Sequence, residues 1–94
     1  MGIKMKKIRD LLNEIKHPEI NKSLVELGMI GQIHQNDKLV VELKLPTEGI
    51  PIKEMLANLI KDKLSDFDVK VTFSVMNETE KQKFFELARK NWSL

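Results

Sequence analysis

His17 and Glu19 flank Pro18, and Thr47 and Gly49 stand just ahead of Pro51, two short stretches that could bind a metal or an anion. In an extended 17–19 segment the ring and the carboxylate face the same way and offer one nitrogen and one oxygen to a metal. A third ligand would have to come from Glu26, His34 or Glu48, and spacing places none of them, so plain loop polarity explains the pair more simply. The Thr47–Pro51 stretch combines a hydroxyl, a permissive glycine and a helix start, which together can hold an anion or a partner's carboxylate. An ordinary loop-to-helix entry accounts for the same residues. The 94 residues contain no cysteine, so the chain offers no disulfide, no thiolate nucleophile, no thiolate-held zinc and no thiolate-held cluster. No nucleophile with a base at a known spacing appears, nor a Walker loop or dinucleotide fingerprint. The chain therefore reads as a non-enzyme.

Elements must position these residues. Met5, Ile8, Leu11, Leu12 and Ile15 recur at spacings of three and four, which predicts a helix over 4–16, ended by Pro18. Residues 18–23 follow as a loop, with Leu24, Val25 and Leu27 expected to tuck it onto the core. Gly28 precedes a strand over 29–34, and a second strand carries Leu39, Val41, Leu43 and Leu45 on one face. Between them Gln35-Asn36-Asp37-Lys38 has hairpin-turn chemistry, so the two strands pair antiparallel. Met55, Leu56, Leu59, Ile60 and Leu64 mark a second helix with Pro51 at its first position, where a missing N–H costs nothing. Ile50 then falls near the cap, where an aliphatic side chain is a poor choice. Val69, Val71, Phe73 and Val75 make a third strand, parallel to the second because a helix separates them. Asn77 and Glu80 have capping-box spacing ahead of a helix over 78–91 that carries Phe84, Phe85 and Leu87, with Trp92 just beyond it. The expected fold is α+β: one α-β-β-α-β domain over 1–94 with a three-stranded mixed sheet and a C-terminal helix.

The composition agrees, with 41% hydrophobic and 32% charged residues, those of a soluble globular chain. A net charge of +2 arises from 16 basic and 14 acidic residues scattered together, so no strong field attracts nucleic acid or anionic lipid. Lys4, Lys6, Lys7 and Arg9 make a basic start, but Asp10 and Glu14 follow and no aromatic is interleaved to stack on bases. No apolar run reaches membrane-spanning length, and the basic N-terminus lacks the apolar stretch of a secretory signal. Cytoplasm is the expected location, without nucleic-acid or membrane partners.

Residues 17–30, His-Pro-Glu-Ile-Asn-Lys-Ser-Leu-Val-Glu-Leu-Gly-Met-Ile, followed by Thr47-Glu48-Gly49-Ile50-Pro51, resemble the iron–sulfur assembly domain of SufT- and PaaD-type proteins and of Mrp/ApbC-type carriers. In that family an Asp-Pro-Glu segment leads into a Leu-Gly-Met or Leu-Gly-Leu signature before the first strand, and a Thr-x-x-Cys-Pro segment opens the second helix. The resemblance covers about residues 4–76 and leaves the last helix outside. His17 stands where the family has its first Asp, and Ile50 where it has its Cys. Glu19, Asn21, Leu27, Gly28, Thr47, Gly49 and Pro51 carry over, so the resemblance implies a pocket framed by Glu19, Asn21, Thr47, Gly49, Ile50 and Pro51. Cluster ligation does not carry over, because isoleucine cannot supply a thiolate.

The function expected on these grounds is that of an accessory or adaptor protein in iron–sulfur cluster maturation. It binds an assembly factor or an apo-protein client and holds no cofactor itself; any cluster belongs to the partner. Two alternatives stand beside it. One is a hydrolase-like or metal-using enzyme built on His17, Glu19 and Thr47. The other is a self-associating structural module, a homodimer that buries the aromatic helix.

Overall fold

The computed structural model describes residues 2–35, 37–49 and 51–92, with side chains from Lys6 onward. Ile50, the Asn36 of the hairpin turn and the Met5 side chain therefore lie outside the described residues.

Helix α1 (Gly2–Asn13) stops short of the expected Lys16. Its last turn tightens as the Glu14 and Ile15 N–H groups donate to the Leu11 and Leu12 carbonyls, both at 3.1 Å. The next residues then find partners across the loop: Lys16 bridges Ser23 antiparallel, and the Leu24 N–H donates to the Ile15 carbonyl at 2.9 Å. Long-range pairing, not Pro18, ends the helix.

The 24–28 segment winds into a turn that Ser23 and Glu26 cap reciprocally. The Ser23 N–H donates to Glu26 Oε1 at 2.9 Å, and the Glu26 N–H donates to Ser23 Oγ at 3.0 Å. That winding puts Leu24 and Leu27 on the buried side and leaves Val25 37% exposed, so only two of the three expected residues face inward. Gly28 closes the turn at φ +75, a left-handed conformation that side chains resist.

Strands β1 (Ile30–Gln35) and β2 (Leu39–Leu45) pair antiparallel, and β3 (Val69–Val75) runs parallel to β2 after the crossover helix α2 (Lys53–Lys63), giving the sheet order β1-β2-β3. β2 is central and follows the expected alternation: Leu39, Val41, Leu43 and Leu45 are all buried. Helices α1 and α2 touch each other and lay Ile8, Leu12, Leu56, Ile60 and Leu64 against that face in one cluster. β1 carries a bulge between Ile30 and Ile33, where the Gln32 N–H donates to Glu42 Oε1 at 2.9 Å. Gly31 sits beside that carboxylate, in space a Cβ would have to share with Glu42 Oε1. In β3, Val69 and Val71 pack against the core, whereas Phe73 and Val75 are 43% and 44% exposed, with the Lys53 Nζ at the start of α2 5.1 Å from the centre of the Phe73 ring.

α2 begins at Lys53 with Ile52 as its N-cap, so Pro51 is not its first helical residue. Ile52 makes no side-chain cap bond; its side chain packs against the core instead. The unfavourable aliphatic cap that the sequence suggested thus falls on Ile52, and packing is what its side chain contributes there.

Helix α3 (Glu78–Asn91) has the expected bounds and a complete capping box: the Glu80 N–H donates to Asn77 Oδ1 at 2.8 Å, and the Asn77 N–H donates to Glu80 Oε1 at 3.0 Å. Asn77→Ala is expected to lower stability by about 1 kcal/mol, read as a lower urea midpoint with an unchanged slope. Among the described residues no helix is long and apolar enough to cross a membrane.

Candidate functional site

α3 turns back from the end of β3 and crosses the carboxyl ends of β2 and β3. Glu80 in its first turn pairs with Lys44 of β2, and at its far end the Asn91 carbonyl accepts the Asn21 N–H at 2.7 Å while Trp92 bridges Ile20. Between these two staples Phe84 and Ala88 are buried. The helix does not lie flat on the core, however. A groove of about 220 Å³ remains between it, the 17–20 loop and the start of α2.

The wall of this groove is almost wholly apolar. Ile20 and Met29 form its floor with Pro46, which follows β2; Ile52 and Leu56 come from the α2 end; Phe84, Phe85, Ala88 and Trp92 come from α3; His17 and Glu19 stand on the loop side. Phe84 and Phe85 meet edge to face with ring centroids 5.5 Å apart. Phe85 and Trp92 remain 50% and 44% exposed, so two large aromatic surfaces border the opening. The groove lies outside the carboxyl ends of a parallel strand pair, beside the first turn of the crossover helix, where open α/β sheets leave room for ligands.

His17 is a structural turn-former. It is buried, its N–H donates to the Lys22 carbonyl at 3.0 Å, and its Nδ1 accepts the Glu19 N–H at 3.0 Å. This is the bond an aspartate carboxylate makes two residues on in an Asx turn, so the ring does locally what an aspartate side chain would do. Accepting at Nδ1 puts the proton on Nε2 and occupies one of the two possible ligand nitrogens. Burial pushes the ring below its ordinary value of 6.5, with the nearby Glu19 charge pulling the other way. The fold therefore favours the neutral ring. Its contribution to stability is complete above pH 6.5 and is lost as the pH falls from there through the lower folded value. His17→Asn keeps an acceptor but does not titrate. The melting temperature of the wild type is expected to fall relative to this variant between pH 6.5 and the acid range, and to track it above pH 6.5.

The residues singled out from the sequence are only partly brought together. Glu19 joins His17 at the groove, but Asn21 contributes its backbone N–H to α3 and leaves its side chain exposed. Thr47 and Pro51 are exposed outside the wall; their neighbours Pro46 and Ile52 are the ones that line it. Gly49, at φ +70, borders a separate shallow hollow with Glu48, Lys53, Phe73 and Val75. Thr47 thus does not join His17 and Glu19 in one pocket. Among the described residues no group of three or more His, Asp or Glu is placed to hold a metal ion.

Sequence reasoning missed the groove because its walls are ordinary core residue types and its fourth side is a helix whose docking place no spacing reveals. One feature was readable: Ser23-x-x-Glu26 is a capping-box pattern, and it marks the turn that swings Ile20 and Leu24 inward.

Residues 5–76 match the family model described as iron-sulfur cluster assembly protein. The fold is similar to a solved structure described as "Crystal Structure of Domain of Unknown Function DUF59 from Bacillus anthracis", with a TM-score of 0.68 and 17% identity over 87% of this chain and 89% of that one. No curated protein matches. The family match ends at Met76, so the three aromatics that α3 and Trp92 bring to the groove come from outside it.

Proposed function

Since the chain belongs to the family of iron–sulfur cluster assembly proteins, we propose that it is an accessory or adaptor in cluster maturation in the cytoplasm, binding an assembly factor or an apo-protein client through the groove beneath α3. The observation that carries this reading is an apolar groove bordered by Phe85 and Trp92 in a chain without a single thiolate donor. Such a cleft suits an aromatic or aliphatic anchor from another protein, because exposed aromatic edges around a desolvated pocket are what binding hot spots are made of. The motif likeness to SufT- and PaaD-type proteins and to Mrp/ApbC-type carriers supports a partner drawn from the same maturation chemistry.

The cluster itself is cargo, and the donor set does not fit its retention by this chain alone. Clusters are held by cysteine thiolates, occasionally with histidine. Here cysteine is absent, and the buried histidine has one ring nitrogen committed to the Glu19 N–H. The adaptor reading leaves cluster and ATP chemistry to the partner.

Anaerobic reconstitution with iron and sulfide tests this directly. The wild type is expected to stay colourless with no stoichiometric iron after desalting, while Ile50→Cys, which restores the family's thiol, gains iron and visible absorbance. Stoichiometric iron on the wild type would overturn the reading, since His17, Glu19 or their neighbours would then be holding metal.

A further inference from the structure

The two edges of the sheet are unequal. β1 is blunted by its bulge and by the Glu42 carboxylate bound into it, two devices that discourage further pairing. β3 has neither: it pairs with β2 residue for residue from Val69 to Val75 without interruption, and among the described residues no strand pairs with its outer side. α3 leaves the end of β3 and turns over β2, as the Glu80–Lys44 contact shows, so it does not cover that side.

The direction of the free backbone groups follows from the bonds already made. The Asp68 carbonyl accepts the Leu39 N–H, and the Met76 N–H donates to the Leu45 carbonyl, so the even-numbered residues of β3 address β2. Backbone groups alternate along a strand, so the N–H and C=O of Val69, Val71, Phe73 and Val75 point away from the sheet.

We propose that β3 is a homodimer interface, in which two copies of the chain pair antiparallel through this edge about a two-fold axis at Thr72, forming a continuous six-stranded sheet. In that register Val69 lies opposite Val75 and Val71 opposite Phe73, and all of these are hydrogen-bonded pairs because their backbone groups are the outward ones. Residues directly opposite share a face, so the apolar side of one sheet continues into the other. Phe73 and Val75, 43% and 44% exposed in the single chain, each gain a β-branched neighbour. On the other face Lys70 lies opposite Ser74, so no like charges meet. Thr72 faces Thr72 of the second copy at the axis, in a non-hydrogen-bonded pair, the closer of the two antiparallel geometries. The strand Val-Lys-Val-Thr-Phe-Ser-Val is thus self-complementary about its central residue in size, polarity and hydrogen-bonding direction.

This interface stands apart from the groove under α3 and does not depend on the adaptor reading. Because the chain has no cysteine, one introduced thiol reports cleanly. Thr72→Cys is expected to oxidise to a disulfide-linked dimer under mild conditions, since the axial pair lies within disulfide reach. Lys70→Cys, whose two copies lie about 14 Å apart in this register, should not. Light scattering of the wild type should give twice the 10.9 kDa of one chain at high concentration. Thr72→Lys, which sets like charges face to face only in the dimer, should raise the dissociation constant about tenfold or more without lowering the melting temperature of the monomer. A wild type that stays monomeric up to millimolar concentration overturns the proposal. A dimer indifferent to Thr72→Lys but lost in Trp92→Ala overturns it in favour of the aromatic helix. Protection of β3 amides that appears only when another protein's extended segment is added overturns it in favour of strand addition by a partner.

Discussion

Phe84→Ala is expected to lower stability by about 3 kcal/mol, the cost of emptying a buried aromatic site, and to release α3 rather than unfold the domain. Phe84 is the largest side chain that α3 buries; Ala88, the partly buried Leu87 and the two end staples hold the rest. The staples are exposed or half-exposed polar contacts, which contribute little by themselves. Without the ring, the helix loses the largest single contact that opposes its undocking. Hydrogen exchange should show the α3 amides opening while those of β2 stay protected, because local openings need less free energy than the global transition. Equal loss of protection in β2 would mean that α3 is part of the same cooperative unit. The same variant widens the groove, so a partner anchored there should bind differently while the β3 edge is untouched.

Leu43→Ala should behave in the opposite way. Leu43 is fully buried in the central strand, registered with Ile30 on one side and Phe73 on the other. Truncating a leucine in such a place costs about 2–5 kcal/mol, a large part of the ~5–15 kcal/mol that keeps a domain folded. The other sheet strands pair with this strand and helices α1 and α2 share its core cluster, so the loss should appear globally, as a lower urea midpoint with an unchanged slope and faster exchange throughout the sheet. A loss confined to β3 would show that the two halves of the sheet unfold separately.

The adaptor reading and the open strand edge place two different surfaces on one small chain. The groove under α3 is apolar, recessed and aromatic at its rim, whereas the β3 edge is a row of unpaired backbone groups beside half-exposed Phe73 and Val75. A homodimer through β3 would leave both grooves open, so the two uses are compatible.

Much of the fold was legible in the residues. The period-two pattern of β2, the capping box at Asn77 and Glu80 and the helical spacing of Leu56, Ile60 and Leu64 each state a local structure, because side-chain direction follows backbone geometry over a few residues. The order α-β-β-α-β and the parallel third strand followed from them by connection rules. The absence of cysteine was equally decisive, since it removes thiolate chemistry from this chain whatever its fold. The misjudged points are those where a residue's role depends on something distant. α1 ends at Asn13 because Ile15 and Lys16 bond to Leu24 and Ser23. His17 turned out to be a turn-forming acceptor because Glu19 presents an N–H to it, and Thr47 fell outside the groove while Pro46 and Ile52 formed its wall. Local patterning determined which elements exist and which chemistry is excluded. Where α3 docks, and therefore that a groove exists and which residues line it, follows from contacts between residues far apart in the chain, which local patterning does not encode.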